Sequence, residues 1–299
     1  MAKYLDPKAD LTFKKVFGEN PAQTISFLNA LLPLEEGQEI EQIEYLPPEL
    51  VPETPLRKNS IVDVRCRDNR NRHFIVEMQM VWSPEYRQRV LFNASKAYVR
   101  QLDKGFDYRL LQPVYSLNLV NDIFEPGLPE CYHSYNVASE SHPDHIIKGL
   151  HLVFVELPKF TPQTILQKRM AVLWLRFLTE IDEHTEEVSS ELLAVPEIKE
   201  AVRRVEQSAY TEAQLLGYDK FWDAISVEIT LYHSGERKGR AEGLKEGMVK
   251  GRAEGLAEGL AEGRSLALAE MAKKMKSEGM PIQQIAQFTG LPLDKIKEL

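Results

Sequence analysis

The sequence predicts a mixed α/β (α+β) protein with a helical second half and a C-terminal helical extension. Three features carry that expectation. Residues 60–80, SIVDVRCRDNRNRHFIVEMQM, alternate apolar and polar side chains on both sides of DNRN, the pattern of two strands around a turn. Beyond Pro162 the apolar spacing changes from a period of two to that of helices. From Gly235 to Gly263 glycine recurs at every fourth position.

The elements follow in order. Asp6-Pro7 reads as a helix start, with Phe13, Val16 and Phe17 on one face and Gly18 as the stop. Asn20-Pro21 repeats the signal for a second helix to about Leu32. Residues 39–46, 57–66 and 73–81 read as strands, the first two joined through the Pro-rich LPPELVPETP. Ser83-Pro84 opens a long helix to about Asp103, with Gly105 after it. PVYSLNLVN (113–121) and LHLVFVEL (150–157) are apolar, β-branched and aromatic, as buried strands are. Helical spacing then covers 163–184, 196–208 and 218–233.

If the 60–80 hairpin centres on Arg70, paired residue numbers sum to 140. Val62, Val64 and Cys66 then oppose Met78, Val76 and Phe74 on a wholly apolar face. The other face pairs Ile61 with Gln79, Asp63 with Glu77, Arg65 with Ile75 and Arg67 with His73. Like charges directly opposed on neighbouring strands are destabilising, so something positive should compensate Asp63 and Glu77. A neighbouring cation such as Arg65 or Lys58, a shared proton, or a divalent ion would each serve. Gln79, two residues beyond Glu77, lies on the same strand face and makes the acids part of a cluster.

An Asp on one strand followed by Glu-x-Lys or Glu-x-Gln on the next resembles the PD-(D/E)XK nuclease superfamily. The ordered segments DLTFKKVFG (10–18), SIVDVRCRD (60–68), FIVEMQ (74–79) and IAQFTGLPLDKI (285–296) more narrowly resemble the recombination-promoting nuclease family, also described as transposase-like. This resemblance spans nearly the whole chain. It implies a restriction-endonuclease-like core, magnesium-dependent DNA cleavage in the service of recombination, and magnesium held by Asp63, Glu77 and the Met78 carbonyl. Gln79 stands where the superfamily usually carries Lys; a neutral amide can orient a water but cannot supply charge. Asp10, where the first family segment begins, is a further ligand or water-binding candidate. Arg89 and Tyr98 on the helix after the hairpin are candidates for touching phosphate, as are Lys58 and Arg65.

Composition bounds these expectations. The chain has 299 residues, 43% of them hydrophobic, and a net charge of −8, which looks unsuited to nucleic acid. Residues 57–109, however, hold twelve Lys/Arg against six acids, so the positive charge surrounds the acid pair. Two cysteines give neither a disulfide framework nor metal-ligand spacing, and no apolar run approaches the roughly 20 residues needed to span a bilayer. A cytoplasmic protein is expected. HPDH (142–145) lacks zinc-site spacing and reads as a Pro-containing loop; Walker-type or Rossmann-type glycine loops are absent.

Domain organisation is expected as 1–234 for the nuclease-like part, 235–264 for the glycine-patterned stretch and 265–299 for a small helical module. Eight glycines in one helix cost on the order of 1 kcal/mol each relative to Ala, so the stretch reads as a self-associating helix or as a linker. In the last module Pro281, Ala286, Gly290 and Leu293 are spaced as in a helix-turn-helix, but PLDKIKEL has two charges of each sign, which suits packing better than DNA reading. The functional expectation is a DNA endonuclease forming homo-oligomers through its C-terminal helices. Its alternative is a non-catalytic DNA-binding or assembly protein with the nuclease fold.

Overall fold

The structure is a computed structural model that describes residues 3–50, 60–102, 107–162 and 169–299. It divides into two units, residues 1–229 and 230–299. In the first unit α1 (Asp10–Phe13) runs on as a π-helical turn to Gly18. Phe13, Val16 and Phe17 are fully buried, as their spacing requires. Asp6-Pro7 forms a turn instead of the helix start: Asp6 Oδ1 accepts the Lys8 amide at 2.8 Å, and α1 begins only at Asp10. Next come α2 (Pro21–Leu31), with Pro in its first turn, β1 (Ile43–Tyr45), β2 (Glu49–Leu50), β3 (Ser60–Ile61), β4 (Val64–Asp68) and β5 (His73–Gln79). Helix α3 (Glu85–Val99) connects β5 to β6 (Val114–Val120), and β7 (Tyr132–Ala138) and β8 (Ile146–Glu156) complete the sheet. Helices α4 (Arg169–Glu180), α5 (Ser190–Leu193), α6 (Pro196–Arg204) and α7 (Glu212–Ser277) follow.

The main sheet has the order β1-β4-β5-β6-β8-β7. Strands β5, β6 and β8 are parallel neighbours, and the others pair antiparallel. All seven residues of β6 are buried, as a central parallel strand covered on both faces must be. On one face Val64, Cys66, Phe74, Val76, Leu117 and Val153 meet α1, α2, α4 and α6 in the largest core. Within it Phe17 lies 4.8 Å from Phe13, 4.4 Å from Phe27 and 5.5 Å from Trp174, centroid to centroid. Neither cysteine, Cys66 or Cys131, forms a disulfide; both are buried, and burial pushes the Cys66 thiol up to about 12. The opposite face receives α3, whose Val90, Ala94 and Ala97 cover Ile75, Val114 and Val120.

The β4–β5 hairpin has the expected register, with Val64, Arg65, Cys66 and Arg67 opposite Val76, Ile75, Phe74 and His73. Its turn is tied by Asp68, whose Oδ1 accepts the amides of Arg70 and Arg72 and whose Oδ2 accepts Arg72 Nε at 2.7 Å. Asn71 adopts φ 58, a left-handed conformation that Asn tolerates better than most residues. Beyond Val64 the expectation fails. Ser60 and Ile61 pair with Leu50 and Glu49, not with β5, and Asp63 sits at a bend. That bend interrupts the alternation, so Val62 packs with Leu50, Ile75 and Ala94 on the α3 side instead of facing Met78. Strand β7 has no counterpart among the expected strands.

In the second unit, eight glycines at positions 235–263 lie within α7, and a Cβ built on any of them meets nothing within 4 Å. The helix is continuous through this stretch. Helices α8 (Ile282–Thr289) and α9 (Leu293–Glu298) pack Ile285 and Ile296 against Ala272, and Gly290, at φ 71, ends α8 in the left-handed conformation that favours glycine. Among the described residues no helix is long and apolar enough to cross a membrane.

Candidate active site

Strand alternation puts Ile75, Glu77 and Gln79 on the face that α3 covers. Helix α3 presents Tyr86, Val90, Asn93 and Ala97 to the sheet at helical spacing, and three of these fill the apolar layer. Asn93 is the exception. It is 1% exposed, and its Nδ2 donates to Glu77 Oε1 at 2.9 Å. Its own Oδ1 is buried with no hydrogen-bond partner. Sequence reading passed over Asn93, although an Asn in an otherwise apolar stripe was the available signal.

Asp63 reaches the same place from the bend. Its Oδ2 accepts the Met78 amide at 2.7 Å, so the carboxylate is held beside the strand that carries Glu77 without being part of the ladder. Asp63, Glu77, Met78, Gln79, Tyr86, Arg89 and Asn93 line one open cavity of about 700 Å³. Burial pushes both acids up. Glu77 is raised to about 6 by desolvation, with Asp63's charge adding to it while Asn93's hydrogen bond and Arg89 oppose it. Asp63 is raised by desolvation and by Asp10, against the Met78 amide, Lys14 and Arg89.

The nearest cation makes only a long ion pair with this site. Arg89 Nη2 stands 3.8 Å from Glu77 Oε2 but donates to Gln79 Oε1 at 2.5 Å, and its guanidinium lies 4.6 Å from the Tyr86 ring centroid. Gln79 Nε2 in turn donates to the Val81 carbonyl at 2.6 Å. The other candidates lie apart. Asp10 is outside the cavity lining and pairs with Lys14 at 2.6 Å. Arg65 is also outside it, with its guanidinium directed to the Pro47 carbonyl at 3.4 Å. Tyr98, near the end of α3, packs against the cluster of Ile75, Ala97 and Val114 with its ring close to Gly149. Lys58 lies outside the described residues.

The donor set suits a hard cation. Two carboxylates, one of them buried, open on a space large enough for an ion and its waters, and a buried amide oxygen beside them has no partner. Among the described residues no group of three or more His, Cys, Asp and Glu could hold a metal, so carbonyl oxygens and water would complete any shell. A family model described as PD-(D/E)XK nuclease family transposase matches residues 7–226. Neither the curated proteins nor the solved structures contain a match.

Proposed function

Because the chain belongs to the PD-(D/E)XK nuclease transposase family, we propose that it is a divalent-cation-dependent DNA endonuclease whose cleavage promotes recombination. Supporting this reading is one observation above the rest: two acids raised by burial share a cavity, and Arg89 is held by Gln79 instead of closing on them. Asp63, Glu77 and the Met78 carbonyl would hold magnesium or a similar ion. Such an ion, when bound, supplies a more acidic water and neutralises charge on the phosphate.

The chain's own residues do the positioning. The Met78 amide fixes Asp63 and the Asn93 amide fixes Glu77, so neither carboxylate must reorganise on binding. Asp10 acts on Asp63 through its charge, and we assign it the holding of water near the site rather than direct ligation. Arg89 lines the open cavity and would meet the DNA backbone; Lys58 and Arg65 are proposed as further phosphate contacts on their sequence alone. Nicking of supercoiled plasmid by the purified full chain in magnesium or manganese, abolished by a chelator and by Asp63→Ala, tests the proposal. Absence of nicking by the wild type with any divalent ion, alongside retained salt-sensitive DNA binding, would favour the non-catalytic alternative.

We also propose that the protein forms homo-oligomers through its C-terminal helices and works in the cytoplasm, with residues 1–234, 235–264 and 265–299 as nuclease-like domain, association helix and small module. Glycines that cost helix stability yet leave open space where a Cβ would stand support this reading. Gly247→Ala with Gly251→Ala is expected to raise helicity, because each replacement favours the helix by up to about 1 kcal/mol. If a second backbone approaches this row, the same pair lowers the sedimentation coefficient of the full chain. Unchanged sedimentation of an oligomer would place its contact elsewhere.

A further inference from the structure

We propose that Arg89 is the cation that faces the scissile phosphate and that Gln79 is the positioning residue that aims it; this rests on the nuclease reading above. Arg89 is the one Lys or Arg among the described residues lining the cavity, against Asp63, Glu77 and Glu85. A phosphate entering so acidic a space needs a protein cation near it as well as any bound ion, and Arg89 is placed to be that group.

Gln79 explains why Arg89 remains available. Both ends of its amide are engaged: Nε2 donates to the Val81 carbonyl and Oε1 accepts from Arg89 Nη2. This pattern fixes the amide orientation, because a carbonyl can only accept and a guanidinium can only donate. It also leaves Gln79 a holder of Arg89 instead of the orienter of an attacking water that its position in the sequence suggests. A neutral acceptor holds the guanidinium without cancelling its charge. Glu at 79 would neutralise it, and Lys at 79 would repel it. The Tyr86 ring, 4.6 Å from the guanidinium carbon, supports the group from one side, and Arg89 remains nearly half exposed for a ligand. The charge that the superfamily usually carries on the strand would thus come from the facing helix, ten residues further along the chain.

The test relocates the charge. Arg89→Ala, Gln79→Lys and the double variant are compared with wild type for plasmid nicking in magnesium, for affinity to a short duplex in chelator over a salt series, and for thermal unfolding. Arg89→Ala is expected to lower nicking by about 10²–10³-fold and to reduce the slope of log affinity against log salt by about 1. Gln79→Lys alone is also expected to lower nicking, because it displaces Arg89. The double variant, with its single cation now at position 79, should recover at least about tenfold over Arg89→Ala and regain the salt slope. Unfolding midpoints should agree within a few degrees, separating these losses from misfolding. A double variant no better than Arg89→Ala, or an Arg89→Ala protein with wild-type nicking and salt slope, overturns the pairing. If the wild type does not nick, the nuclease reading fails and the salt slopes alone decide whether Arg89 meets phosphate.

Discussion

Replacing Glu77 with Gln is expected to remove nicking and, in the same protein, to raise stability at neutral pH. If Glu77 holds the ion as proposed, its loss should lower the rate by on the order of 10³-fold. The stability effect follows from burial. Glu77 is 5% exposed, and desolvation raises its carboxyl from the ordinary range to about 6. A folded pKa above the unfolded one means that the native state binds the proton more tightly. That contribution is fully present below about pH 4.5 and is lost as the pH rises through about 6. A gap of about 1.5 in pKa corresponds to about 2 kcal/mol. In chelator at pH 7.5, Glu77→Gln should therefore gain on the order of 1–2 kcal/mol over wild type, and the gain should vanish near pH 4.5. Gln keeps an oxygen to accept the Asn93 amide, so the local packing survives. Urea unfolding at the two pH values reads the difference. Equal stability at both would mean that Glu77 carries no stored electrostatic cost. A variant less stable at pH 7.5 would mean that its charge is already well neutralised.

Phe17→Ala is expected to cost about 3–5 kcal/mol, the usual range for emptying a fully buried aromatic site. Phe17 is completely enclosed, and its ring touches those of Phe13, Phe27 and Trp174 while standing 6.5 Å from Phe177. The π-helical turn that carries it and helices α2 and α4 all close on this point, so no single element can move in to fill the gap. Phe17→Leu keeps much of the volume and should cost markedly less. Trp174 fluorescence offers a local reporter, because its ring lies 5.5 Å from Phe17. A loss below about 1 kcal/mol would show that the layer of helices against the sheet can collapse around the vacancy.

The fold was legible where side chains obey a simple period. The seven residues of β6 read as buried, the turn DNRN read as a turn, and register followed from alternation at four successive pairs. Strand β7, YHSYNVA, was not legible: five of its seven residues are exposed, it lies at the sheet edge, and its alternation is broken by an irregularity between Asn136 and Val137. The bend at Asp63 was equally hidden. It depends on Ser60 and Ile61 pairing with Glu49 and Leu50, a tertiary event with no local pattern. For the site, the two acids and Gln79 could be read from the hairpin, because strand spacing alone brings 77 and 79 to one face. Which partners they would take could not. Asn93 and Arg89 meet them only after α3 folds back across the sheet, and sequence distance gives no measure of that return.

Enclosure of the two thiols gives the molecule a built-in timer. Cys66 is 0% exposed and Cys131 2%, and burial raises the Cys66 thiol to about 12, so that thiol holds almost no thiolate at neutral pH. Alkylating reagents therefore wait for the chain to open. The rate at which iodoacetamide is taken up then counts excursions from the native state, and it does so without denaturant, DNA or metal.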